Sequence, residues 1–351
     1  MKKLLLLLLI TMTSVVTWSQ NAKEVAMHQF VKQLLSKMTL EEKLGQLNLP
    51  AGGDFVTGAV ASSEIAEKVK LGKVGGIFNI RSATKIRELQ EFAVKNTRMH
   101  IPLVFGMDII HGYRTMFPIP LGMSATWDMN IIERASQIAA TEASVDGIMW
   151  TFSPMLDLTR DPRWGRVSEG NGEDPFLSSA IARAMIKGYQ GDGSYQQNSV
   201  MTCIKHFALY GAAEGGRDYN TVDMSAVRMY NEYFPPYKAA VEAGAGSFMA
   251  SFNEINGVPA SANKWLLTDV LRKQWKFKGM IVSDYTGIPE MVNHGIGDFQ
   301  TVNAKSLDAG VDMDMVGGGF LNTLTKSLKE GKVTQAQIDK ACERILEMKY
   351  K

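Results

Sequence analysis

Four apolar runs in this chain each lead to a polar group that can do chemistry. Met280-Ile281-Val282-Ser283 ends on Asp284, and Leu103-Val104-Phe105-Gly106 is closely followed by Asp108. Met201-Thr202-Cys203-Ile204 runs into Lys205-His206, and Phe248-Met249-Ala250-Ser251-Phe252 into Asn253-Glu254. Such apolar runs read as buried parallel strands. Polar groups gathered at the C-terminal ends of several strands are where barrel enzymes place their reactive side chains. A carboxylate at such a place is costly to bury unless it is paired or used. Used as a nucleophile, it must stay ionised, which cationic neighbours favour. Arg166, Lys205 and His206 are candidates for that part.

Each of these residues also has a purely structural reading. Asp284 could cap a helix opening at Thr286-Gly287-Ile288-Pro289, and Asp108 could cap the helix after it. Arg163 and Arg166 could pair with Glu169, Glu173 or Asp174 in a salt-bridge network. His206 alone would be a satisfied core histidine, and Met249, Phe252 and Tyr285 ordinary core. Gly215-Gly216 and Gly317-Gly318-Gly319 lack the strand–helix context of a phosphate-binding loop and read as connections.

The elements that must position these groups alternate between strand-like and amphipathic helical stretches, which argues a parallel α/β architecture. Eight strand candidates centre on Leu47–Leu49, Gly76–Phe78, Leu103–Gly106, Met149–Phe152, Met201–Ile204, Ser247–Ser251, Met280–Ser283 and Val311–Asp314. Eight strand–helix units suggest a (β/α)₈ barrel with long loops. Thr39-Leu40-Glu41-Glu42 has capping-box spacing and opens a helix before the first strand. Ile338, Ala341, Ile345 and Met348 recur at helical spacing in a last helix over 334–349. No repeat, low-complexity tract or Ser/Pro-rich linker divides the chain, so 20–351 reads as one domain.

Met1-Lys2-Lys3 and the apolar Leu4–Ile10 form the n- and h-regions of a secretory signal peptide over 1–19, with small residues at Thr17 and Ser19. That stretch is too short to span a membrane. Without Lys2 and Lys3 the chain carries 36 basic and 36 acidic residues, so nothing points to nucleic acid or an anionic membrane surface as a partner. The two cysteines, Cys203 and Cys342, fall on a strand and on the last helix and read as two buried thiols. They make a poor metal site, and no metal or other cofactor is expected. The many methionines are scattered and read as core filler.

Several long motifs resemble glycoside hydrolase family 3, most closely its periplasmic β-glucosidases. They are Phe105 to Gly112, Asp161 to Arg166 (Asp-Pro-Arg-Trp-Gly-Arg), Ser168-Glu169-Gly170, Gly172 to Pro175, Lys205-His206-Phe207, Tyr210-Gly211, Glu214-Gly215-Gly216, Tyr219 to Ser225 and Ser283-Asp284-Tyr285. The resemblance covers roughly residues 25 to 351 and implies the barrel independently. It implies that Asp284 is the nucleophile of a retaining β-glycosidase acting on a β-glucoside or oligosaccharide. It further implies that Asp108, Arg166, Lys205 and His206 hold sugar hydroxyls, with Met249, Phe252 and Tyr285 around the ring. Arg163 is then left to structure. A retaining pair of carboxyl groups stands about 5–5.5 Å apart. In two-domain members the acid/base is a Glu on a second domain, which has no counterpart here and would have to come from a further domain or subunit. Glu173, Glu214 and Glu254 are the loop carboxylates that could replace it. The single-domain β-N-acetylhexosaminidase branch carries an Asp–His pair soon after the Lys-His motif. Phe207 to Asp218 lacks that pattern. The expectation is a periplasmic or secreted β-glucosidase-like enzyme. The alternatives are a sugar-binding protein without turnover and a fragment of a longer enzyme.

Overall fold

The computed structural model describes residues 22–52, 65–193, 195 and 197–351. The leader expected over 1–19 lies outside them. Among the described residues there are ten strands: β1 (Asn48–Leu49), β2 (Gly76–Phe78), β3 (Val104–Met107), β4 (Trp150–Thr151), β5 (Met201–Phe207), β6 (Ser247–Ala250), β7 (Glu254–Ile255), β8 (Val258–Pro259), β9 (Met280–Val282) and β10 (Asp314–Met315).

Eight of them form a ring. β2-β3-β4-β5-β6-β9 is a parallel sheet, and β1 pairs in parallel with β10. Two parallel bridges join these pieces, Ala51 to Phe78 on one side and Val282 to Met313 on the other. The Phe78 N–H donates to Pro50 O at 2.9 Å and the Ser283 N–H to Met313 O at 3.0 Å. The result is the expected (β/α)₈ barrel. β7 and β8 form a small antiparallel ribbon outside the ring.

Local signals start and stop the helices. Thr39 makes a complete capping box with Glu42, and Thr334 makes one with Gln337 at the last helix, Gln335–Tyr350. Asp128, Asp174 and Asp298 each accept from backbone N–H groups of the helices they cap. Inside the barrel, Trp150 and Phe152 need room. A Cβ on Gly106 would lie 2.8 Å from Phe152 and 3.0 Å from Trp150, so only glycine fits there. The Trp150 indole N–H donates to Ser247 Oγ at 2.8 Å, and Ser247 Oγ donates to Thr202 O, so this buried polar pair is satisfied across three strands.

Two strand ends differ from the sequence reading. β5 runs on through Lys205-His206-Phe207, because Met155 bridges Lys205 from the loop after β4. β10 begins at Asp314 rather than Val311. The N–H groups of Asp312 and Met313 both donate to Ile281 O, which breaks the regular ladder before Asp314. Cys203 and Cys342 are both free and buried.

Candidate active site

The C-terminal ends of the strands open into a cavity of ≈ 470 Å³. Asp108, Arg166, Lys205, His206, Met249, Phe252, Asp284 and Tyr285 all line it. They come from five places in the chain: after β3, the loop after β4, the end of β5, β6 and its exit, and the exit of β9. Phe78, Phe152, Tyr219, Glu290 and Met315 complete much of the wall.

The carboxylate of Asp284 is not a helix cap. The cap position of the short helix Gly287–Glu290 is Thr286. Asp284 Oδ1 accepts the N–H of Tyr285 at 2.7 Å. Asp284 Oδ2 is buried and takes no hydrogen bond among the described residues. Burial pushes this carboxyl up to about 7, against the pull of Arg166, the Tyr285 N–H and Lys205. Asp108 is not a cap either, since the next helix opens at Pro120 behind Ile119.

Lys205 Nζ lies 2.6 Å from Asp108 Oδ1 and 3.7 Å from Glu169 Oε2. Burial disfavours the ammonium, but Asp108 and Glu169 outweigh it and hold it above its ordinary value. Arg166 forms a two-point bond with Glu169, at 2.8 and 3.0 Å, and its guanidinium lies over the Tyr210 ring. Arg166 is therefore both paired with Glu169 and on the cavity wall. Arg163, itself exposed, pairs instead with half-buried Asp161 and is not among the lining residues.

His206 is almost fully buried. Its Nδ1 lies 2.8 Å from Asp157 Oδ2 and its Nε2 3.5 Å from Asp284 Oδ2. Burial holds its protonation well below the ordinary range, and Arg166 and Lys205 add to that. The imidazole therefore stays neutral. Apolar faces supply the rest of the wall. Tyr219 packs edge-on against Phe252 at 4.7 Å, and Phe78 against Tyr285 at 6.0 Å.

The three loop carboxylates singled out as stand-in acids are elsewhere. Glu173, Glu214 and Glu254 do not line the cavity. Glu254 is occupied by His294 at 2.9 Å on the ribbon side. The carboxylate that the sequence reading passed over is Glu290, on the short helix after Asp284. Burial raises its carboxyl above the ordinary range. Asp157 was passed over as well, whereas Glu169 is the salt-bridge partner of Arg166 that the sequence offered. Asp157 sits between Leu156 and Leu158, and a charged residue inside an apolar stretch was the available signal. Among the described residues no cluster of three His, Cys, Asp or Glu is placed to hold a metal ion.

Residues 39–348 match the glycosyl hydrolase family 3 N terminal domain. The chain belongs to glycosyl hydrolase family 3. It is 45% identical over 322 residues to the periplasmic beta-glucosidase of Salmonella typhimurium, covering 92% of this chain and 42% of that protein. A putative beta-xylosidase of Formosa agariphila is 32% identical, covering 100% of this chain and 50% of the other. Among solved structures, a beta-glucosidase from Listeria innocua in complex with isofagomine superposes with a TM-score of 0.87 at 41% identity. That match covers 92% of this chain and 46% of the other. The chain thus spans about half the length of these family 3 relatives.

Proposed function

We propose that this barrel is the sugar-binding and nucleophile-bearing part of an exported, retaining β-glycosidase of the β-glucosidase type. The observation that carries the reading is the convergence of Asp284 with Arg166, Lys205, His206 and Asp108 on one cavity. In the first step an Asp284 carboxylate oxygen attacks the anomeric carbon. The glycosidic oxygen leaves with a proton from an acid, and a β-linked substrate becomes an α-linked glycosyl-enzyme. In the second step water, deprotonated by the same group, displaces Asp284 and restores the β configuration.

The roles of the other residues follow from what they can donate and accept. Asp108 accepts two hydroxyl hydrogen bonds, while Lys205 and Arg166 donate several. That combination suits a neutral polyol. Phe252, Tyr285 and Met249 offer apolar surface to the C–H faces of the ring. The names of the relatives support a β-glucoside first and a β-xyloside second.

The acid/base belongs, on this reading, to a second domain or subunit that leans over the cavity. Its supporting observation is that Glu173, Glu214 and Glu254 stand off the cavity wall. The leader pattern and the periplasmic name of the Salmonella relative support export. No helix of the described residues is long and apolar enough to cross a membrane.

A 2-deoxy-2-fluoroglucoside with a dinitrophenolate leaving group tests the reading, because it traps the glycosyl-enzyme. The label is expected on the peptide holding Ser283-Asp284-Tyr285. A label elsewhere, or an Asp284→Asn variant that still reacts, would end it.

A further inference from the structure

Behind His206, away from the cavity, lies a carboxylate that no part of the mechanism above uses. Asp157 is 2% exposed and does not line the cavity. Its Oδ2 accepts the His206 backbone N–H at 2.9 Å and stands 2.8 Å from His206 Nδ1. Its Oδ1 lies 2.8 Å from the Tyr237 hydroxyl, which is also 2.8 Å from His206 O. Burial pushes Asp157 up to about 6, while the His206 N–H, the Tyr237 hydroxyl, Arg166 and Lys205 favour its ionised form.

This arrangement fixes which nitrogen of His206 carries its proton. An ionised Asp157 only accepts, so Nδ1 must be the N–H. Nε2 is then a bare lone pair, 3.5 Å from Asp284 Oδ2. Asp284 Oδ2 has no other hydrogen-bond partner among the described residues. Two buried acceptors facing each other repel unless a proton lies between them.

We infer that Asp157 is a positioning residue that, through His206, makes the nucleophile hold a proton until substrate binds. The chain runs from the Asp157 carboxylate to the Nδ1–H of His206, and from Nε2 to a proton on Asp284 Oδ2. Attack requires that this proton leave Oδ2 for solvent, because burial together with Arg166 and Lys205 keeps the His206 imidazole neutral. The other groups facing the pair are Arg166, Lys205, Asp108, Glu169, Tyr219, Glu290 and Tyr210, whose ring packs edge-on against His206 at 5.2 Å. None of them is bonded to His206 Nδ1. Asp157 alone decides the tautomer. The inference rests on Asp284 being the nucleophile.

Asp157→Asn removes the charge and can keep the bonds. Its amide oxygen can take both N–H groups of His206, and its NH₂ can donate to Tyr237, whose hydroxyl then donates to His206 O. Losing a unit negative charge one imidazole ring away lowers a carboxylate by about one pH unit at the effective dielectric of protein sites. The experiment measures the rate of labelling by the dinitrophenyl 2-deoxy-2-fluoroglucoside against pH, with the labelled residue mapped. The wild-type rate is expected to rise with a midpoint near neutral pH, and the Asp157→Asn midpoint to fall about one unit lower. An unchanged midpoint with the label still on Asp284 would overturn the inference, whereas a label on another residue would overturn the nucleophile reading instead. If Asp157→Asn does not fold, ¹⁵N NMR of the wild-type histidines decides. His206 is expected with a protonated Nδ1 and an unprotonated Nε2 whose shift titrates with the labelling midpoint. A His206 protonated on Nε2 would sink the proposal.

Discussion

Lys205 Nζ and Asp108 Oδ1 stand 2.6 Å apart across the cavity, one from the end of β5 and the other from the exit of β3. The pair is asymmetric. Lys205 is almost fully buried, whereas the Asp108 side chain is 42% exposed. Removing Asp108 therefore leaves Lys205 with Glu169 as its counter-charge, and the fold keeps its balance. A charged hydrogen-bond partner to a ligand is worth about 1.5–3 kcal/mol. Asp108→Ala is expected to stay folded and to bind glucose about ten-fold or more weakly, as read by calorimetric titration. Unfolding of this variant would show that Asp108 is structural. Lys205→Met is expected to lose affinity and also stability, because Asp108 and Glu169 lose their shared cation.

Asp284 carries a cost that depends on pH. Its carboxyl titrates near 7 in the fold, against an ordinary value of 3.8, because burial disfavours the charge. The folded chain thus binds more protons than the unfolded chain between these values, and stability falls as pH rises through that window. Below about pH 4 both states are protonated and the cost is absent. Above about pH 7 it is complete, at about 2–4 kcal/mol. Asp284→Asn resembles the protonated form. Its melting temperature is expected to exceed that of the wild type at pH 8 and to match it at pH 4. Equal melting temperatures at both pH values would contradict the burial argument.

The barrel was legible in the sequence because its strands are apolar runs with polar ends. All eight strand positions fall where those runs lie. Gly76–Phe78 matches to the residue, and the others shift by one to three residues. Site residues at strand exits, such as Asp284 and Asp108, were legible for the same reason, and the family motifs added Arg166 from a loop. For Asp157 only the placing of a charge inside an apolar stretch was legible, not its role, which lies in contacts with His206 and Tyr237, 49 and 80 residues away. Glu290 was hidden differently. It reads as an ordinary polar residue on a short helix, and only the turn after Asp284 carries it back over the cavity. Glu254 failed as a candidate because the β7–β8 ribbon takes it aside to His294.

Export makes a simple prediction. Protein recovered from outside the cytoplasm should begin near Gln20, as read by N-terminal sequencing, because the Lys2-Lys3 and Leu4–Ile10 pattern is that of a cleaved leader. An intact Met1 on such material would refute it.

The 351-residue chain alone should bind sugar better than it turns it over. Among the described residues the three acids on the wall of its cavity are Asp108, Asp284 and Glu290. Asp108 is engaged by Lys205 and Asp284 is the proposed nucleophile, which leaves Glu290 as the single candidate proton donor among the described residues. If the acid/base instead comes from a second domain, a dinitrophenyl glucoside should still form the glycosyl-enzyme, because its leaving group needs no proton. Cellobiose should hardly react. General acid–base help is typically worth about 10²–10⁴-fold, so the two substrates should differ by at least that much. The glycosyl-enzyme should persist in water and be released by azide as the β-glycosyl azide, since azide needs no deprotonation. Rapid cellobiose hydrolysis without an azide effect would mean that the barrel holds its own acid. In that case Glu290→Gln should abolish cellobiose hydrolysis, spare the dinitrophenyl substrate in the first step and bring back the azide effect. Glu173→Gln, Glu214→Gln and Glu254→Gln should do none of these, because their carboxylates do not reach the cavity.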